Sequence, residues 1–265
     1  PFDPRRLETA GGPAPVVEGV SRASSSVSYS TGSAQLSVSA TGTLIYRPGP
    51  VSNTGGQMSL GFFDRKGSAE LLKVPPGPYE LPRLSPDGKR VAFGSDYGTI
   101  WIYELSGTNA VRRLTFAGQG KNRFPVWSSD SQRVTFQSDR EKDLGIFWQQ
   151  ADGAGAAERL ATAEEGTSYI PEDWSPDGTR LLYNVIAEDS MTTLWTLSLA
   201  DKEAERFDAV VTSATMLTGA VFSPDGKWVA YASNESRTRS AVYVQPFPPT
   251  GAKYQISKDE DAGHH

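Results

Sequence analysis

Along the chain, apolar and polar positions form short alternating runs separated by clusters of turn-forming residues, a pattern of many short strands rather than a few long helices. The runs recur in one order. A segment ending in a large apolar residue (Leu84, Trp127, Trp174, Phe222) meets a turn. A nearly continuous apolar run follows: Arg90-Val91-Ala92-Phe93, Arg133-Val134-Thr135-Phe136, Arg180-Leu181-Leu182-Tyr183 or Trp228-Val229-Ala230-Tyr231. Such runs predict inner strands covered on both faces. After a polar loop comes a third strand with period-two alternation, at Ile100-Trp101-Ile102-Tyr103, Ile146-Phe147-Trp148, Leu194-Trp195-Thr196-Leu197 and Val242-Tyr243-Val244. An outer strand ends each unit at Arg113-Leu114-Thr115, Arg159-Leu160-Ala161 or Tyr254-Gln255-Ile256.

The turn after each first strand is itself repeated: Leu84-Ser85-Pro86-Asp87-Gly88, Trp127-Ser128-Ser129-Asp130-Ser131, Trp174-Ser175-Pro176-Asp177-Gly178 and Phe222-Ser223-Pro224-Asp225-Gly226, with a weaker copy at Val38-Ser39-Ala40-Thr41-Gly42. The serines recur at spacings of roughly 43 to 48 residues, the length of a four-stranded propeller blade. Pro presets φ, Asp bonds to the backbone just ahead, and Gly takes a positive φ without steric cost. At the second copy Ser129 and Ser131 stand where Pro and Gly are expected, which predicts a looser turn there.

The predicted fold is therefore all-β, a β-propeller of four-stranded antiparallel blades, with a six-bladed ring, one blade incomplete, as the expected closure. It is one domain over 1–265. An outer strand of a preceding or ring-closing blade is expected in 1–20, blades at 24–74, 79–116, 121–162, 168–209 and 215–258, and the start of another at 259–265. Pro1-Phe2-Asp3 with 12–17 reads like Pro246-Phe247-Pro248 with 251–256, so the chain is expected to open late in a blade and to be part of something larger.

A chain of 265 residues is long enough for a sizeable core, and no apolar run is long enough to predict a membrane span. The net charge of −5, with Lys and Arg scattered, argues against nucleic acid as a partner, which would call for a basic face. Without cysteine there is no disulfide, thiolate metal site or cysteine nucleophile.

Candidate chemistry is sparse. The two histidines, His264 and His265, are adjacent at the end of the chain, so no Ser-His-Asp triad is expected. Ser85, Ser128, Ser175 and Ser223, and Asp87, Asp130, Asp177 and Asp225, recur in every unit and read as turn residues. The segment 259–265 holds oxygen and imidazole donors without regular ligand spacing; it reads as an acidic loop or an affinity-tag remnant, and no metal or cofactor is expected. Positions just before each first strand vary while the frame stays constant: Tyr79-Glu80, Asn122-Arg123, Tyr169, and Met216-Leu217. Glu172 and Asp173 stand where other units carry Pro-Arg, Pro-Val or Ala-Val. Tyr79, Arg123, Tyr169, Glu172 and Asp173 are thus the candidate ligand-binding residues, suited to a protein segment or small polar ligand at a channel mouth.

The Trp-Ser-Pro-Asp-Gly turn, the Ser138-Asp139-Arg140 loop and the Arg113-Leu114-Thr115 ending resemble the TolB-type propeller repeat. Pro1-Phe2-Asp3, the stretch 39–46, Phe63-Asp64-Arg65-Lys66-Gly67 and the stretch 221–231 resemble the C-terminal propeller region of bacterial membrane-anchored serine/threonine protein kinases. That resemblance implies a non-catalytic, extracytoplasmic sensor or interaction module in a larger bacterial protein. The chain itself carries no Gly-rich loop, His-Arg-Asp or Asp-Phe-Gly. The rival readings are a lactonase-like metal hydrolase, an accessory propeller of a serine peptidase, and a rigid spacer.

Overall fold

In the computed structural model the alternating runs pair as antiparallel strands. The structure describes residues 58–63, 68–95, 98–105, 110–116, 118–207, 217–233 and 241–257, and before residue 58 the backbone of the strands named next. The N-terminal strands are β1 (Phe2–Asp3), β2 (Glu8–Thr9), β3 (Arg22–Ser24) and β4 (Ser30–Ala34). A first four-stranded sheet follows with β5 (Leu36–Val38), β6 (Leu44–Tyr46), β7 (Gly61–Phe63) and β8 (Ala69–Leu71). The second has β9 (Tyr79–Leu84), β10 (Arg90–Ser95), β11 (Thr99–Glu104) and β12 (Val111–Arg113). The third has β13 (Asn122–Trp127), β14 (Arg133–Ser138), β15 (Gly145–Gln150) and β16 (Glu158–Ala161). In the fourth are β17 (Ser168–Trp174), β18 (Arg180–Ile186), β19 (Thr192–Ser198) and β20 (Ala204–Arg206). The fifth contains β21 (Leu217–Phe222), β22 (Trp228–Ser233), β23 (Ala241–Pro246) and β24 (Tyr254–Gln255).

Each of these sheets is a meander in chain order, so its first and last strands are its two edges. The first strands β5, β9, β13, β17 and β21 lie side by side, and β4 comes alongside β21, bending the row back toward its start. Sheets so arranged shelter one another's faces. The sixth, incomplete blade expected from the sequence corresponds to no four-stranded sheet among the described residues; the N-terminal stretch contributes the pairs β1–β2 and β3–β4. The segment 259–265, with its two histidines, and Met216 lie outside the described residues.

Why the strands turn where they do is visible in the serines. Ser85, Ser128, Ser175 and Ser223 each donate from Oγ to the Oδ1 of the Asp two residues on, at 2.5–2.6 Å. The same Oγ accepts the backbone N–H of the residue that opens the second strand, at 2.9–3.0 Å. The Asp in turn accepts an N–H two residues further on, at 2.9–3.1 Å. These bonds hold the Asp carboxyls below their ordinary range. The turn at Ser131 is not looser: Ser131 takes φ 61° in the place of glycine, and its N–H donates to Ser128 O at 2.9 Å. Its Oγ also accepts the Asp87 N–H of the neighbouring sheet at 3.1 Å, a bond glycine would forfeit. Ser131→Ala keeps the left-handed backbone and loses that acceptor, so a stability loss of about 1–2 kcal/mol is expected in urea unfolding.

The core lies in the seams between sheets. Val126, Ile146 and Trp148 of the third sheet close on Trp174, Leu181 and Tyr183 of the fourth, with Trp148 and Trp174 stacked at 5.8 Å. Large apolar groups so covered contribute about 1.5–3 kcal/mol each. Two seams are also pinned through indole N–H groups: Trp127 Nε1 donates to Arg83 O, and Trp174 Nε1 to Thr135 Oγ1, both at 2.9 Å.

Each first strand from β9 on carries a bulge, two residues opposite one: 81–82 facing Phe93, 124–125 facing Phe136, 171–172 facing Tyr183, and 219–220 facing Tyr231. In three of them the first bulge residue has a left-handed backbone, with φ 47° at Leu81, 56° at Phe124 and 65° at Gly219. Pro171 holds that place in β17, and proline cannot adopt such a φ.

Candidate functional site

The bulge register places Pro82, Pro125, Glu172 and Ala220 in equivalent positions, and likewise Arg83, Val126, Asp173 and Val221. The strands that carry them form the axis-side edge of the sheets, so these residues sit around the inside of the row. Glu172 and Asp173 are both half-buried. Glu172 Oε1 accepts from Asn184 Nδ2 at 2.6 Å, and its carboxylate also takes the Gly219 N–H. Asp173 Oδ2 accepts the Phe222 N–H at 2.8 Å, and the carboxylate takes the Trp174 N–H.

Burial dominates the electrostatics of the pair. Desolvation pushes Glu172 up to about 7, against the pull of the Arg83 guanidinium and with the Asp173 charge adding to the rise. The same effect takes Asp173 up to about 6, opposed by the Phe222 and Trp174 amides and by Arg83. Arg83, half-buried on β9, is the residue that reasoning from sequence missed. Its signal was present in the Pro-Arg of the second unit, but its partners lie two sheets away.

The other candidates fall in different surroundings. Arg123 is exposed at the start of β13, its Nη2 3.7 Å from Glu80 Oε2 at the start of β9. Tyr79 is half-buried, edge-on to Phe93 at 5.0 Å, and its hydroxyl donates to the Pro75 carbonyl. Tyr169 is buried, 5.3 Å from the Tyr183 ring, and its carbonyl accepts from Gln137 Nε2 at 2.8 Å. Burial raises the Tyr169 hydroxyl, with Glu164 adding to the effect. The structure thus brings Glu172, Asp173 and Arg83 into one electrostatic group and pairs Arg123 with Glu80. The two tyrosines pack into the seams.

Two partly desolvated acids that titrate near neutrality, opposed by a guanidinium, can hold a proton, a cationic group or a polar chain with both charges. Among the described residues no group of three or more His, Cys, Asp or Glu side chains is placed to hold a metal.

Five antiparallel four-stranded sheets with their first strands in a row define a TolB-like β-propeller fold. The crystal structure of TolB from Acinetobacter baumannii superposes with TM-score 0.66 at 20% identity, covering 84% of this chain and 55% of that one. By sequence the chain is 28% identical over 201 residues to the uncharacterized peptidase YuxL of Bacillus subtilis, a match spanning 60% of this chain and 30% of that protein. It is 34% identical over 79 residues to the Tol-Pal system protein TolB of Methylococcus capsulatus, over 30% of this chain and 18% of that protein. The matched stretch is therefore less than a third of either curated relative. No family model matches the chain.

Proposed function

We propose that this propeller is a non-catalytic binding module, which receives a polar protein segment or small polar ligand on the axis side of its first strands. The carrying observation is the placement of Arg83, Glu172 and Asp173: opposite charges, half-buried, on two different sheets of a rigid frame. Arg123 and Glu80, at the starts of β13 and β9, extend this polar lining toward the mouth. A bound chain exchanging water for these groups gains orientation from them, while the packed seams stay fixed. The propeller is a part of a larger bacterial protein and faces the outside of the cytoplasm, as the likeness of its turns to kinase-linked propellers implies. That placement is testable by protease accessibility on intact spheroplasts, where a cytoplasmic propeller would stay uncut.

The binding reading predicts that peptides selected from a random display library on the purified chain lose on the order of tenfold or more in affinity for Arg83→Ala and Arg123→Ala. Arg123 is exposed, so its replacement should leave thermal unfolding nearly unchanged. Equal affinity for wild type and both variants, or no peptide selected at all, contradicts the proposal. Lactone or ester hydrolysis abolished by Glu172→Gln would favour the hydrolase reading instead.

A further inference from the structure

We propose that Glu172 and Asp173 form a proton-controlled clasp between the fourth and fifth sheets, tighter when the acids are protonated and looser when both are charged. The argument starts from what the seam lacks. At the two preceding seams an indole N–H crosses to the neighbouring sheet, from Trp127 to Arg83 O and from Trp174 to Thr135 Oγ1. At the equivalent position β21 carries Phe222, which has no such donor. The bonds that cross here run the other way, from the Phe222 and Gly219 backbone amides of β21 to the two carboxyls of β17. β21 pairs with β22 alone, so amides on its free edge need acceptors from elsewhere.

The same geometry makes the clasp responsive. Two carboxyls adjacent in the chain share one partly dry seam, and charging both there is disfavoured by desolvation and by each other. The groups facing them from each packed element are few. β9 presents Arg83, which favours the charged forms. β13, β14 and β15 present Val126, Thr135, Gln137 and Trp148 to β17, all neutral. β18 presents the Asn184 amide, and β21 its backbone N–H groups. The single guanidinium does not offset burial, and both acids titrate above their ordinary range. A carboxyl raised on folding gives its full stabilisation below its unfolded value and loses it as pH climbs through the folded one. Neutralising the acids therefore closes the seam, and ionising them opens it.

The test is hydrogen–deuterium exchange of the intact chain without ligand, with rates corrected for the intrinsic pH dependence. Protection of the Gly219 and Phe222 amides should fall on the order of tenfold from about pH 5.5 to about pH 8. The Asn122 amide, which bonds to Gly98 O at 2.8 Å across another seam, serves as the reference and should not follow. Glu172→Gln with Asp173→Asn should flatten the β21 profile. Arg83→Gln, which removes the opposing charge and leaves the clasp in place, should move the transition to higher pH. A double variant with the wild-type profile, an Arg83→Gln transition that does not move, or an equal response at Asn122 would overturn the clasp. Because no ligand enters the measurement, failure of the binding proposal leaves it intact.

Discussion

Trp174→Ala is expected to cost about 3–5 kcal/mol of unfolding free energy, the largest loss from any single substitution considered. The indole is 5% exposed, stacks on Trp148 at 5.8 Å and lies against Leu181 and Tyr183. Truncation opens a void between two β-sheets, each of which relies on the other for cover. Trp174→Phe separates shape from hydrogen bonding, since it keeps most of the ring and removes the Nε1–H that Thr135 Oγ1 accepts at 2.9 Å. A further about 1–3 kcal/mol belongs to that bond, because the Thr135 hydroxyl is fully buried. Trp195 provides the comparison: it is half-buried and its Nε1 donates to Thr193 Oγ1 within its own strand, so Trp195→Phe should cost well under about 1 kcal/mol. Urea midpoints of the three variants check this. Equal losses for Trp174→Phe and Trp195→Phe would show that the inter-sheet bond contributes nothing.

The second large effect is on the pH dependence of global stability. Glu172 and Asp173 have folded values raised to about 7 and about 6, so their stabilisation is complete below the ordinary carboxyl range and is lost as pH rises through those values. Between about pH 5 and about pH 8 the pair should remove about 2–4 kcal/mol, the lower figure applying if channel water screens the charges. The turn aspartates have the opposite sign. Asp87, Asp130, Asp177 and Asp225 are held low by their serines and by backbone amides, so their contribution is lost only as pH falls below the ordinary range. Urea unfolding across pH should therefore give a maximum in the mildly acidic region. A profile flat between about pH 5 and about pH 8 in the wild type would contradict the burial of the pair.

Most of the frame was legible in the sequence because each turn is built from neighbours. Ser175, Asp177 and Gly178 make their bonds within five residues of one another, so a local motif is enough to place the hairpin. The pairing of Arg180 with Ser198 and of Tyr183 with Trp195 follows from the same alternation. What escaped is set between sheets. Tyr169 was expected at a mouth, yet the twist of β17 turns it onto Tyr183, and no periodicity in one strand reports the position of the next sheet. Arg83 was read as part of a dipeptide and acquires its meaning only from Glu172 and Asp173, far along the chain. The acids themselves stood out correctly as a departure, but the departure at Phe222 that accounts for their bonds looked like one apolar residue replacing another.

The bulges fix which way side chains aim by counting residues rather than by choosing them. Arg123 and Val126 are three apart, a separation that sends side chains of an unbroken strand to opposite faces, yet they oppose Gln137 and Thr135 and so share one face. Glu80 and Arg83, and Ile170 and Asp173, are brought into phase in the same way. Substitutions can therefore retune the inner lining one group at a time. Shortening β13 by one residue would instead swing the guanidinium of Arg123 onto the side that buries the Trp127 indole, trading a tunable wall for a charge wedged where the molecule is dry.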